Sequence, residues 1–521
     1  MSHISNPIIP GFAPDPSIVS VDGWFFLVTS SFHLFPGLPI YASKDLVSWE
    51  HIGNAFNRRS QLALSKSSTR LSPPAPETGN KTLPATAGLY APTIRHRAGR
   101  FYIVCTNAIF QEDRGVVDKQ NFILSTTDIW AGEWSDPVKF DFVGIDPDFF
   151  FDDDGKVHIT GSATPGPWKK IRCFEIDIET GEKLSEERTL WTGTGGVYPE
   201  GPHLYKRNGW FYLLIAEGGT HVTHSVTVAR SKDLWGPYEA CPGNPVLTAR
   251  GAEEYVQHVG HADLFEDSDG KWWAVCLGVR KDEDGRFAMG RETFLTRVDW
   301  SGEWPSIEPV RIQIPSGESG ANEKTALSAR GDVDYVYIRD THLDRYKFNE
   351  RSVVKLSASP TDLSDPEESP TFIGKRQRSV TGSSGVAISG VSDPIWVSAR
   401  LKCGLAYYKD EHRYFRIFLE RDTQGSLWAV FELRNDAQGI HRTCRRRLEP
   451  TGGSVAVGMQ YTEKQFRVVY STESRLTGPW IEVDVVDALE VSDMDFVGPV
   501  LGIFVVGEGE VEVEFKGFYC N

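Results

Sequence analysis

Apolar and polar positions alternate in short bursts along most of the chain, and glycine-containing turns punctuate the bursts. The clearest burst is Gly144-Ile145-Asp146-Pro147-Asp148-Phe149-Phe150-Phe151, followed by the turn Asp152-Asp153-Asp154-Gly155 and then Lys156-Val157-His158-Ile159-Thr160. Four more stretches repeat this form. Asp15 to Val19 turns at Asp22-Gly23 into Trp24 to Val28, and Ala91 to Ile94 turns at Ala98-Gly99 into Phe101 to Val104. Glu200 to Tyr205 turns at Asn208-Gly209 into Trp210 to Leu214, and His261 to Phe265 turns at Asp269-Gly270 into Trp272 to Val275. Asp-Gly and Asn-Gly between β-branched and aromatic runs mark hairpins, because these residues tolerate positive φ. A hairpin returning roughly every 50 to 80 residues predicts radial repetition of small sheets, and five copies predict a five-bladed β-propeller.

The repeat also predicts where chemistry gathers. Eight or nine positions before each turn glycine stand Asp15, Ala91, Asp146, Glu200 and His261. Equivalent positions on repeated blades form a ring about one axis. If they begin the innermost strands, three carboxylates and a histidine converge on the central channel. A single Asp at such a point could merely end a loop. Three carboxylates at one repeat position are harder to explain that way.

A second repeated element, Ser43-Lys44-Asp45-Leu46-Val47-Ser48-Trp49 and Ser231-Lys232-Asp233-Leu234-Trp235, has a looser copy at Ser125 to Trp130. It reads as a turn with a Trp that packs between blades. Residues 58–88 are rich in Ser, Pro, Thr and Leu without a strand pattern, and read as a disordered insertion or a lid over one end of the channel. Arg291 to Trp300 partly alternates, as an outer strand of the last blade would. Ile314 to Asn322 reads as a linker. Beyond it, runs such as Ile395 to Leu401, Tyr414 to Leu419, Phe466 to Tyr470 and Val511 to Phe515 alternate without the blade repeat, and predict a β-sandwich. The expected division is therefore an all-β chain with a propeller over 1–315 and a sandwich over 323–521.

Composition narrows the function. Fifteen Trp and 12% aromatic residues suit stacking on sugar rings or packing between sheets, and the net charge of −16 disfavours nucleic acid and anionic membranes as partners. The seven Cys are scattered, with no CxxC pair to suggest zinc or redox chemistry. Asp152-Asp153-Asp154-Gly155 and Asp267-Ser268-Asp269-Gly270 lack the later Glu of a calcium loop and read as turns. The N-terminus has no basic start before an apolar run, which predicts a cytoplasmic protein, or a secreted one whose leader has been removed. Two carboxylates facing a polar pocket can cleave a glycosidic bond, one protonated to donate to the leaving oxygen and one ionised to activate water. A third nearby could hold the acid in place and raise its pKa by like-charge repulsion.

Ala13-Pro14-Asp15-Pro16-Ser17, Gly144-Ile145-Asp146-Pro147, Pro199-Glu200-Gly201-Pro202-His203, Gly260-His261-Ala262 and Met289-Gly290-Arg291-Glu292-Thr293 occur in this order. Together with Phe35-Pro36-Gly37-Leu38-Pro39 and Ser369 to Gln377, they resemble glycoside hydrolase family 43, within it the β-xylosidase and α-L-arabinofuranosidase group. The resemblance implies an inverting hydrolase with Asp15 as general base, Glu200 as general acid and Asp146 orienting that acid. It implies Arg291 as a ligand of sugar hydroxyls or of the base carboxylate, and His261 at the pocket floor, holding a water or a structural Ca²⁺; no cofactor is otherwise required. Phe32, Phe35 and Tyr90 would wall the sugar pocket, with Tyr90 standing where relatives often carry Trp. A sandwich loop near Phe496-Val497-Gly498-Pro499 would narrow it.

Other readings stay open at this point. Asp148 could replace Asp146, Arg291 could pair with Glu292 or a blade carboxylate, and His261 could be a satisfied core histidine. The expected substrates are xylooligosaccharides, with arabinose-substituted fragments as a second set, and a homo-oligomer is compatible with the chain. A debranching arabinofuranosidase and a non-catalytic sugar-binding propeller are the competing functions.

Overall fold

The computed structural model describes residues 3–111, 116–163, 169–315, 326–349, 352–449, 452–473, 476 and 478–521. The chain is all-β. Five antiparallel sheets are arranged as the blades of a propeller, each beginning with the first strand of one predicted hairpin. The innermost strands are Ser17–Val21, Gly88–Arg97, Gly144–Phe151, Glu200–Arg207 and Val256–Glu266. Alternation drives each hairpin. In blade 1, Ile18 pairs with Leu27 and Val19 with Phe26, and three of these four are buried between blades.

Turn geometry differs among the blades in a way that matters for the site. Blades 1, 2 and 4 use two-residue turns in which both residues have positive φ: Asp22-Gly23, Ala98-Gly99 and Asn208-Gly209. This is the turn whose twist matches the flanking strands. Blades 3 and 5 use longer turns, in which the Asp152 N–H donates to Lys156 O at 3.0 Å and the Asp267 N–H to Lys271 O at 2.9 Å.

The repeated Trp element packs between blades. Trp49 is buried in a cluster with Phe265 and Trp273 of blade 5, and its indole N–H donates to Leu46 O at 3.2 Å. Trp130 of blade 2 lies edge-on to Trp24 of blade 1 at 4.7 Å. The ring closes through the N-terminal segment. His3–Ser5 pairs with Gln313–Pro315, and the Asn6 amide exchanges two hydrogen bonds with the Leu295 backbone at 2.8 and 2.9 Å. Arg291 to Trp300 contains the third strand of blade 5, Glu292–Asp299, which has Ser306–Ile307 outside it.

The C-terminal part forms an eight-stranded and a seven-stranded sheet. Two features differ from the sequence-based expectation, and a third adds a contact between the halves. Ile395 to Leu401 is not a strand. Asp393 turns the chain into a short helix, Ile395–Ser398, by accepting from the Ile395 N–H at 2.9 Å, and Pro394 at the N-cap supplies a helical φ. Residues 58–88 are not patternless: Thr69–Ser72 and Leu83–Thr86 form a hairpin with a 3₁₀ turn at Pro76–Thr78 between them. Finally, Ala326–Ala329, beyond the boundary at 323, pairs in parallel with Ser48–Phe56 of blade 1, and Tyr335–Ile338 pairs with Leu34–Phe35. The two halves therefore share backbone hydrogen bonds. Of the expected linker, 316–322 lies outside the described residues.

Candidate active site

The innermost strand carries one extra residue in the same place on blades 2 to 5. The register slips between Tyr90 and Thr93, Ile145 and Asp148, Glu200 and His203, and Gly260 and Asp263. In each bulge one residue has a left-handed φ, at Ala91 (32°), Asp146 (54°), Gly201 (54°) and His261 (49°); Asp15, just before the first strand of blade 1, matches them at 53°. Such a bulge bends the strand and re-aims a side chain, here toward the hub. Holding a non-glycine residue at positive φ costs on the order of 1–3 kcal/mol, and such residues concentrate at functional sites.

The ring position on blade 4 is thus Gly201, not Glu200. Blade 4 has a short turn, so its equivalent residue stands eight positions before the turn glycine, and Glu200 precedes the ring by one. Glycine is required there, because a Cβ on Gly201 would stand 2.9 Å from the His261 ring. The Gly201 N–H instead donates to Asp146 at 3.0 Å, which ties Asp146 to the backbone beside Glu200.

Asp15 is 6% exposed, and three neighbours hold it. Arg291 Nη1 lies 3.0 Å from its Oδ1, the Ser30 hydroxyl donates to its Oδ2 at 2.6 Å, and His261 Nδ1 stands 3.8 Å away. Burial pushes the carboxyl up, but Arg291, then His261 and Ser30, outweigh it and hold Asp15 below its ordinary value. Asp146 is in the opposite condition. Burial first, then the Glu200 carboxylate, push it up to about 8, against the pull of Lys169. Lys169 Nζ sits 3.1 Å from Glu200 Oε2 and faces the Tyr198 ring at 5.5 Å. The pocket therefore holds an anionic carboxylate at Asp15 and a proton-retaining carboxyl at Asp146.

Arg291 donates to Asp15, to Thr220 Oγ1 at 2.9 Å, and through Nε and Nη2 to Phe496 O at 3.1 and 2.8 Å. It pairs with Asp15, whereas Glu292 pairs with Arg280 at 2.7 Å. Phe496 comes from the sandwich. Its loop reaches the pocket because Gly290 and Gly498 meet there: a Cβ on Gly290 would stand 2.6 Å from the Gly498 Cα. Phe32, Tyr90 and Phe496 form an aromatic wall with ring centroids 5.0 to 6.1 Å apart, and the Arg291 guanidinium lies 5.6 Å from the Phe32 ring. Phe35 does not join this wall. It packs against Phe56 at 5.9 Å, in the core between blade 1 and the sandwich, because its backbone is committed to the strand pair with Tyr337.

Asp148 lies one layer deeper. It is fully buried and ion-paired to Arg95 at 2.9 Å, and Arg95 also pairs with Asp263 at 2.8 Å. Ser17 and Tyr205 hydroxyls complete the shell of Asp263. Arg95, with Asp263 and Asp148, plugs the channel beneath the pocket. Sequence reading missed this layer, although Ser17, Thr93, Asp148, His203 and Asp263 stand two residues beyond each ring position. It also missed Lys169 and Thr220, which belong to no repeat. His261 contacts Gly201, Asp15 and the His203 ring, and among the described residues no three His, Cys, Asp or Glu side chains are arranged to hold a metal ion.

A closed hub with opposed carboxyls under an aromatic wall defines a propeller that cleaves glycosidic bonds. The family model for glycosyl hydrolases family 43 matches residues 4–305, and the β-xylosidase C-terminal concanavalin A-like domain matches 329–519. The chain belongs to glycoside hydrolase family 43. It is 36% identical to a xylosidase/arabinosidase of Butyrivibrio fibrisolvens over 75% of each chain. It is 31% identical to a non-reducing-end alpha-L-arabinofuranosidase of Bacteroides ovatus, over 98% of this chain and 93% of the relative. The solved structure described as Bacteroides ovatus Xyloglucan PUL GH43B superposes with a TM-score of 0.83 at 29% identity, covering all of both chains.

Proposed function

We propose that the protein is an inverting exo-β-1,4-xylosidase that releases xylose from the non-reducing end of xylooligosaccharides, with α-L-arabinofuranosidase side activity. The observation that carries this reading is the opposed electrostatic state of the carboxyls in one pocket. Asp15, kept anionic by Arg291 and Ser30, is suited to take a proton from the attacking water. Glu200, whose neighbour Asp146 is raised partly by its charge, is suited to give a proton to the leaving oxygen. Asp146, held by the Gly201 N–H next to Glu200 in the chain, acts on the acid by like-charge coupling. In the inverting step, water adds to the anomeric carbon as the bond to the leaving oxygen breaks. The water proton goes to Asp15, the proton on Glu200 goes to the leaving hydroxyl, and solvent restores both groups.

Support for exo action is the blocked channel: Arg95, paired with Asp148 and Asp263, fills the floor, and Phe496 of the sandwich closes one side. A second reading, an α-L-arabinofuranosidase that debranches arabinoxylan, is favoured by the full-length relative of that name. Initial rates on nitrophenyl β-xyloside and α-L-arabinofuranoside separate the two. The first reading expects the xyloside to be faster, and an arabinoside rate many times higher reverses the order. Glu200→Ala tests the chemistry: turnover of xylobiose is expected to vanish while the fold persists, and unchanged turnover removes Glu200 from the reaction.

A further inference from the structure

Lys169 has no counterpart in the repeat, and the reaction as written does not use it. It is nevertheless the cation that touches Glu200, at 3.1 Å. It is mostly buried, with its side chain 16% exposed, so the contact is shielded from solvent screening. Burial disfavours the ammonium, but Glu200 and Asp146 more than compensate and Lys169 stays charged. Its other face lies against the Tyr198 ring. Tyr198 in turn lies beside Glu77, from the 3₁₀ turn of the 58–88 hairpin. A Cβ on Gly219 would stand 3.5 Å from both Glu77 and Tyr198, so these groups close on one another.

This cluster adjoins Glu200 through Lys169, and none of its three side chains belongs to the Phe32–Tyr90–Phe496 wall. A leaving group must lie beside Glu200, because that is the acid that protonates it. An ammonium ion-paired with Glu200 opposes that role, since an opposite charge at 3.1 Å favours the carboxylate over the acid that must donate. The remaining charged neighbours do not replace Lys169. Lys119 acts only at longer range, Asp15 is occupied by Arg291, and burial holds His224 and His261 low, as neutral rings.

We propose that Lys169, Tyr198 and Glu77 form the leaving-group subsite, and that Lys169 is its positioning residue: its ammonium holds Glu200 ionised in the empty site and turns to the hydroxyls of a leaving sugar when one binds, so that Glu200 takes up a proton. This rests on Glu200 being the acid. The proton then passes to the leaving oxygen as the glycosidic bond breaks, and no further reactant is needed. A leaving sugar is thereby sensed before the bond is cleaved, and a glycoside without one gains nothing from Lys169.

The test compares Lys169→Met and Lys169→Arg with the wild type on the disaccharide and on the glycosyl fluoride of whichever sugar the enzyme prefers. Fluoride leaves without protonation and carries no sugar into the subsite. On the disaccharide, Lys169→Met is expected to raise KM several-fold. It is also expected to shift the alkaline limb of kcat/KM upward by about one pH unit, because an opposite charge within a few ångströms no longer favours the ionised acid. Lys169→Arg keeps the charge and should restore the limb. On the fluoride, both variants should follow the wild type. An unmoved limb and KM on the disaccharide, or equal changes on both substrates, overturns the proposal. If Lys169→Met does not fold, as judged by circular dichroism, Lys169→Gln takes its place. Glu200→Ala, run alongside, must lose the disaccharide and keep the fluoride. If it keeps both, the acid assignment itself has failed, and that result is distinct from a silent Lys169.

Discussion

Two layers of the hub carry aspartates at neighbouring repeat positions, yet their physical states differ. In the lower layer Asp148 and Asp263 share Arg95, and Asp263 also receives the Ser17 and Tyr205 hydroxyls. In the upper layer Asp15, Asp146 and Glu200 have only Arg291 and Lys169 at their edges, and Asp146 is left with a proton. Residue type alone does not separate the layers, since blade 3 gives an aspartate to each, Asp146 above and Asp148 below. What separates those two is the counter-charge: Asp148 is ion-paired to Arg95, whereas Asp146 accepts, among the described residues, only the Gly201 N–H. The lower layer is a finished ion-pair network that holds blades together. The upper layer is left incomplete and can exchange protons with a substrate.

The contrast breaks most sharply at its two extremes. Asp15→Ala should remove activity on every substrate, a loss of roughly 10²- to 10⁴-fold or more in kcat, with the thermal midpoint little changed. Retained turnover on any glycoside would show that the upper layer works without this base. Arg95→Met should do the reverse and destabilise the fold by about 3–5 kcal/mol, because it strands two buried carboxylates. Denaturant unfolding measures this, and a loss under about 1 kcal/mol would mean that the lower layer is not an ion-pair plug. Gly201→Ala lies between the layers. It adds a Cβ 2.9 Å from His261 at a φ of 54°, and should cost about 1–3 kcal/mol of stability and lower kcat.

The smallest effect concerns pH. Asp146 is raised in the fold from its ordinary 3.8 to about 8, so the native state binds more protons than the unfolded chain between those values. The stability that this group contributes is complete below about pH 4 and is lost as pH rises toward 8. Asp146→Asn, which cannot ionise, should therefore be inactive yet more stable than the wild type at pH 8, by about 0.5–2 kcal/mol, with the gain shrinking at pH 5. Melting curves at the two pH values decide this, and an equal gain at both would remove ionisation as its cause.

Much of the architecture was legible because hairpin chemistry is local. Asp22-Gly23 and Asn208-Gly209 state their turns within two residues, and the apolar runs beside them state the strands. The ring was legible to within one residue. Position in a strand is counted from the turn, and blades 3 and 5 have longer turns, so counting alone could not show that Gly201, and not Glu200, is the equivalent of Asp146. Whatever depends on distant partners was not legible. Asn6 closes the propeller through Leu295, and Lys169 finds Glu200 from outside the repeat. Phe35, which the family resemblance implies in the pocket wall, is held in the core instead by its strand pairing with Tyr337. Ile395 to Leu401 alternates well enough for a strand, but Asp393-Pro394 ahead of it starts a helix.

The 58–88 hairpin is fastened to the other half of the molecule. Its Thr69 N–H donates to Glu411 at 2.5 Å, and Asp340 accepts from Leu64 and Ser65 at 2.8 and 3.0 Å. With Leu34–Phe35 and Ser48–Phe56 also stitched to strands past residue 325, the rear module acts as a brace for the catalytic wheel. Cutting the chain after blade 5 would leave raw β-edges on blade 1 and an untethered hairpin. Grafting a different rear module would alter which sugars enter, even with every hub residue untouched.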